Sequence, residues 1–125
     1  MLTLSTSTLT GTDVRNRDGE NLGDIKDFML DVESGRVIYA VLDFGGFLGI
    51  GDKYFAVPLE AFEADTTREE LVLNVTKDKL ENAPGFDKNN WPATPDASFV
   101  ESVYDFYGQS ESYQRSRMTR EPVLN

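Results

Sequence analysis

The 125-residue chain contains neither cysteine nor histidine. Disulfides, thiolate chemistry, haem ligation by imidazole, zinc sites built on the usual donors and every triad that needs an imidazole are excluded together. Positive charge is scarce: 12 Lys and Arg stand against 22 Asp and Glu, for a formal net charge of −10. Residues 1–110 hold nine basic and 20 acidic side chains, while the last fifteen hold Arg115, Arg117 and Arg120 against Glu111 and Glu121. A body this acidic repels phosphate backbones and anionic lipid heads, so nucleic acid is not an expected partner. No apolar run approaches the ~20 residues of a membrane-spanning helix. The first ten residues lack the basic and continuous apolar regions of a signal peptide. No membrane insertion and a cytoplasmic location are the expectation.

What is present reads as β-structure. Apolar residues make up 39% of the chain, enough for one globular domain, and its Gly and Pro residues fall between short apolar runs. Asp18-Gly19 is a hairpin signal of the kind that suits a type I′ turn. The stretch Leu22 to Val32 carries Leu22, Ile25, Phe28, Leu30 and Val32. The step from Ile25 to Phe28 breaks the alternation, and a bulge there would restore one inward-facing set. After Glu33-Ser-Gly35 comes Arg36 to Phe44, apolar on both faces: Ile38, Ala40, Leu42 and Phe44 on one, Val37, Tyr39 and Val41 on the other. Such a strand is buried on both sides, the second layer being a C-terminal helix or a second subunit. Tyr54 to Leu59 and Glu70 to Val75 alternate as further strands, with Pro58 marking an edge or strand end. Thr76 caps one helical turn, and a helix starting at Pro95 or Asp96 runs to Tyr107, stopped by Gly108. The expected fold is all-β, a small bent antiparallel barrel of about six strands with a short C-terminal helical extension.

The runs Gly19-Glu-Asn-Leu-Gly-Asp-Ile25, Gly35-Arg-Val-Ile-Tyr-Ala-Val41, Phe44-Gly-Gly-Phe-Leu-Gly-Ile-Gly51 and Phe55-Ala-Val-Pro-Leu59 stand in this order. With Ala83-Pro-Gly-Phe-Asp87 and Trp91-Pro92, they resemble stand-alone bacterial members of the PRC-barrel family. The resemblance covers roughly residues 10–107. It implies a strongly bent antiparallel PRC-barrel, related to the cytoplasmic barrel of the photosynthetic reaction-centre H subunit, that docks on protein partners. It implies no catalytic residue set. The H subunit carries an N-terminal membrane helix that this sequence does not show, a departure that counts against expecting a role in photosynthetic electron transfer. The expected organisation is a flexible lead-in over 1–9, the barrel over 10–82, a loop and C-terminal helix over 83–108 that pack on the barrel or on a partner subunit, and a polar tail over 109–125.

The Gly-rich segment 45–51 lacks the Lys-Ser/Thr of a P-loop and carries Phe47, Leu48 and Ile50 where phosphates need bare amides. It either tucks these residues over the barrel mouth or presents them to a partner. Val37, Tyr39 and Val41, with the helix stripe Phe99, Val103 and Tyr107, are the other candidate contact residues, and sequence leaves open whose core they enter. Trp91 and Phe86 suit ring anchors for their loop better than a ligand box. Asp24, Asp27, Asp31 and Glu33, with Asp43 on the next strand, read as a solvated acidic face. Asp27 and Asp31 are weak candidates for a divalent cation, because the spacing of a calcium loop is missing. No cofactor and no catalytic group are expected. The function expected is a non-enzymatic protein-protein interaction module, self-associating as a homo-oligomer. The alternative is a sensor that binds a small cation or ligand through the acidic face.

Overall fold

Among the described residues, short alternating segments build one seven-stranded sheet, with two helices after the last strand. The computed structural model describes residues 2–44, 53–92 and 96–119, with 115–119 as backbone alone. A one-turn helix α1 (Thr6–Leu9) is capped by Ser5, whose hydroxyl accepts from the Thr8 N–H. It precedes β1 (Asp13–Arg15), β2 (Asn21–Asp31), β3 (Arg36–Asp43) and β4 (Lys53–Val57). A 3-10 turn (Leu59–Ala61) leads into β5 (Phe62–Asp65), β6 (Glu70–Leu73), α2 (Lys77–Glu81) and β7 (Gly85–Asp87). The chain continues through α3 (Ala97–Phe106) and α4 (Ser110–Thr119).

The strand order is β5-β6-β1-β2-β3-β4-β7. Among the described residues the sheet bends without closing, and β5 and β7 are its edges. The expectation of an all-β antiparallel fold holds, with one exception. β1 and β6 run parallel, Val14 opposite Leu71, because β6 reaches β1 by a long crossover and not by a hairpin. The Arg15 Nε to Glu70 Oε2 ion pair of 2.6 Å and the Arg17–Glu63 pair tie this half of the sheet together.

The Asp18-Gly19 turn forms, but not as type I′. Only Gly19 enters the left-handed region there (φ 83°), and Asp18 does not, whereas type I′ needs both. The Asn16 C=O accepts from the Gly19 N–H, and buried Asn16 holds the loop through Oδ1, which accepts from the N–H groups of Asp18 and Glu20. The expected bulge is present: Ile25 faces Leu42 and Asp27 faces Val41, which leaves Lys26 as the extra residue. Phe28 thereby returns to the same core as Ile25. A second slip, between Met29 and Leu30, leaves Ile38 as the extra residue on β3.

Two apolar clusters lie on the two faces of the bent sheet. The inner one gathers Val14, Leu22, Ile25, Leu42, Phe55 and Leu73, with α2 contributing Leu80. The outer one joins Tyr39 and Val41 of β3 and Tyr54 and Ala56 of β4 to Val100, Val103 and Tyr104 of α3. The layer over the second face of β3 is therefore supplied by the chain's own helix. Asp96 caps α3 by accepting from the Ser98 N–H, and the i, i+3, i+4 spacing of Val100, Val103 and Tyr104 turns one stripe onto the sheet. The Tyr104 hydroxyl donates to the Ile38 C=O at 2.6 Å, which fixes the helix against β3.

Two segments differ from expectation. Gly85–Asp87 is a seventh strand on β4, so the sheet continues past residue 82. Within the stretch expected to be an unpatterned tail, Ser110–Thr119 is helical. Its one aromatic residue, Tyr113, lies against Tyr104 with ring centroids 4.9 Å apart, and Ser112 donates to Glu60 at 3.1 Å. These contacts anchor a helix whose residues carry too little apolar periodicity to announce it.

Candidate protein-interaction surface

Strand lengths decide which part of the sheet stands proud. β2 has 11 residues and β3 eight, against three in β1 and five in β4. β1 pairs with β2 only as far as Asp24, with Gly11 and Thr12 extending the contact to Ile25. β4 pairs with β3 only from Ala40 to Asp43. Residues 27–39 therefore form a two-stranded ribbon that outruns both neighbours. Its turn is held by the Asp31 C=O, which accepts from the Gly35 N–H, and by Asp31 Oδ1, which accepts from the Glu33 N–H. Leu30 is 53% exposed and Val32 89% exposed, the latter the largest exposure among the described large apolar residues.

α1 flanks the ribbon on the β1 side. Thr6, Ser7 and Thr10 of that segment face Asp27, Phe28 and Leu30 across a depression of about 410 Å³. Phe28 forms part of the floor, being half-buried against the inner core. The N–H of Phe28 bonds to the Oδ1 of its neighbour Asp27, at 2.8 Å. The wall is hydroxylic, the floor is apolar, and Asp27 is the one charged lining residue.

Elsewhere on the outer face, three carboxylates share one row: Asp13 is opposite Asp24, and Asp24 is opposite Asp43. Partial burial, reinforced by the charges of Asp43 and Asp13, raises the Asp24 pKa above the ordinary carboxylate value. Lys88 offsets the row by pairing with Asp43 at 3.3 Å and lies over the Tyr54 ring. Among the described residues no three Asp or Glu side chains are grouped as a metal site. Asp27 and Asp31 each spend an oxygen on a backbone amide.

The structure distributes the sequence-derived candidates unevenly. Tyr39 and Val41 are buried beneath α3, and Val103 is fully buried against them. Phe99 packs edge-on against Tyr39, with ring centroids 6.0 Å apart. Val37 is half-buried on the ribbon opposite Leu30. Tyr107 turns away from this group and packs with Phe106 against the inner core. Burial raises the Tyr107 pKa, and its hydroxyl has no hydrogen-bond partner among the described residues. Phe86 and Trp91 pack edge-on against Tyr54 as anchors of the loop after β7. Phe47, Leu48 and Ile50 lie outside the described residues.

Leu30 and Val32 were not among those candidates, because alternation assigns them to the inward set. Strand-length mismatch was the available signal. An 11-residue strand between short neighbours must overhang, and its last inward positions then face no core.

No helix among the described residues is long and apolar enough to cross a membrane. No curated protein matches the chain closely enough to count as a relative. The family model described as PRC-barrel domain matches residues 1–80, well over half the chain, and the bent sheet agrees with it. The chain belongs to the PRC-barrel domain family.

Proposed function

We propose that the protein is a non-catalytic protein-binding module whose contact surface is the β2–β3 ribbon. The observation that carries this is the exposure of Leu30 and Val32 at the end of a ribbon that outruns its neighbours. Two adjacent large apolar side chains on an otherwise strongly charged surface mark a place for a partner. Catalysis that needs imidazole or thiolate is excluded by composition. Self-association was expected from apolar surface on β3, on the loop over 45–51 and on the C-terminal helix. The loop lies outside the described residues, while the surfaces of β3 and α3 cover each other within one chain, which favours a different protein as the partner.

The test is quantitative affinity capture from the native cell with the wild-type chain and with Leu30→Asp/Val32→Asp. Loss of a specific partner at unchanged melting temperature supports the ribbon as the contact surface. Retention of every partner removes it. Sedimentation across a wide concentration range decides self-association separately.

A further inference from the structure

We infer that the open edge of β2 at Phe28 and Leu30 receives an extended, basic segment of a partner protein as an added strand. This rests on the ribbon being the contact surface and specifies how that surface binds.

Backbone parity carries the argument. Ile25 exchanges hydrogen bonds with Gly11 and Thr12, so its N–H and C=O point towards β1. Beyond the bulge, Asp27 and Met29 alternate with Phe28 in the ladder facing β3, and the Asp31 C=O closes the β2–β3 turn. The N–H and C=O groups of Phe28 and Leu30 therefore point away from β3. No described strand lies there, since β1 has already ended. Phe28 N–H is bonded to an adjacent carboxylate, a substitute that an incoming C=O can replace. A strand edge with unmet donors and acceptors is a template for strand addition. The depression beside α1 provides room for the incoming chain along this edge.

Charge selects the occupant. Asp27 is the charged group at the slot, and the whole chain carries a formal −10. A second copy is disfavoured. The two-fold register that uses both Phe28 and Leu30 sets Asp27 opposite Asp31 of the other copy, and like charges directly opposed destabilise a strand pair. An extended segment with Lys or Arg alternating with β-branched residues meets Asp27 with opposite charge and places apolar side chains on Phe28 and Leu30.

Amide shifts of the isotope-labelled full chain test this during titration with the peptide Lys-Val-Lys-Val-Lys-Val-Lys. Two control peptides run beside it, one N-methylated at alternate backbone positions and one with Glu for Lys. Saturable shifts at Phe28 and Leu30 are expected, with affinity at least about tenfold weaker for either control and for Asp27→Asn, as loss of hydrogen bonds or of one close charge pair implies. Absence of saturable shifts at these amides overturns the inference, as does equal binding of either control peptide. Concentration-dependent shifts there without peptide also overturn it, in favour of a second copy. If capture depends on Leu30 and Val32 while N-methylation changes nothing, the ribbon stands as the contact surface and strand addition fails alone.

Discussion

Val103→Ala removes two methyl groups from a side chain with no exposed surface, on the face of α3 that lies against β3 and β4. At about 0.8 kcal/mol per buried methyl-sized group, transfer accounts for roughly 1.6 kcal/mol. The surrounding Tyr39, Val41 and Tyr104 are themselves buried and cannot fully collapse, so a cavity contribution brings the cost to about 2–3 kcal/mol. Trp91, the only tryptophan, sits 5.4 Å from the Tyr54 ring in the same cluster, so its fluorescence reports unfolding of this layer directly. Equilibrium urea denaturation of wild type, Val103→Ala and the exposed control Val32→Ala gives the comparison. The expected result is a single transition shifted by about 2–3 kcal/mol for Val103→Ala and by less than about 0.5 kcal/mol for the control. A wild-type-like transition for Val103→Ala would refute intramolecular docking of α3. A destabilisation that vanishes on dilution would refute it too, placing the helix on a neighbouring molecule.

Tyr107→Phe deletes a hydroxyl that is buried without a described partner, so stability is expected to stay level or rise by up to about 1 kcal/mol in the same denaturation assay. Gly23 has φ 105°, and a Cβ built there would lie 2.1 Å from the Asp43 carbonyl oxygen. Gly23→Ala should therefore cost about 3 kcal/mol or more and show as a lowered melting temperature or loss of soluble protein. Asp24 is the pH-dependent case. Its folded pKa is raised, first by burial and then by Asp43 and Asp13, so the folded state holds this proton more tightly than the unfolded state. Stability from this group is present at acid pH and is lost as pH rises through the raised value. Asp24→Asn should be more stable than wild type at neutral pH, with the difference closing below both pKa values in pH-dependent denaturation.

Much of the fold is written locally. The Ile25–Phe28 parity break, the Thr76 cap of α2 and the Asp96 start of α3 each depend on neighbours within a few residues, and each is found. What sequence misses depends on distant partners. Phe62–Asp65 and Gly85–Asp87 are too short to show a pattern, and become strands only because β6 and β4 present pairing edges. α4 has one aromatic anchor, Tyr113, whose worth depends on Tyr104 being in place. The doubly apolar β3 correctly requires two layers, yet nothing local says that α3 supplies the second. The surface is harder still. Leu30 obeys the inward alternation of β2 and Val32 continues it in sequence, but β1 and β4 end too early to cover Leu30, and Val32 lies in the turn just past β2.

The open edge of the ribbon is most directly examined by native-state hydrogen exchange of the Leu30 amide against that of Met29. Met29 faces β3 within the ladder opposite Tyr39, whereas Leu30 N–H points to the side where no described strand follows β1. Exchange at Leu30 near the rate of an unstructured peptide, with Met29 strongly slowed, is the predicted result. Equal protection of the two amides in dilute protein would contradict it, because the edge of β2 would then already be paired.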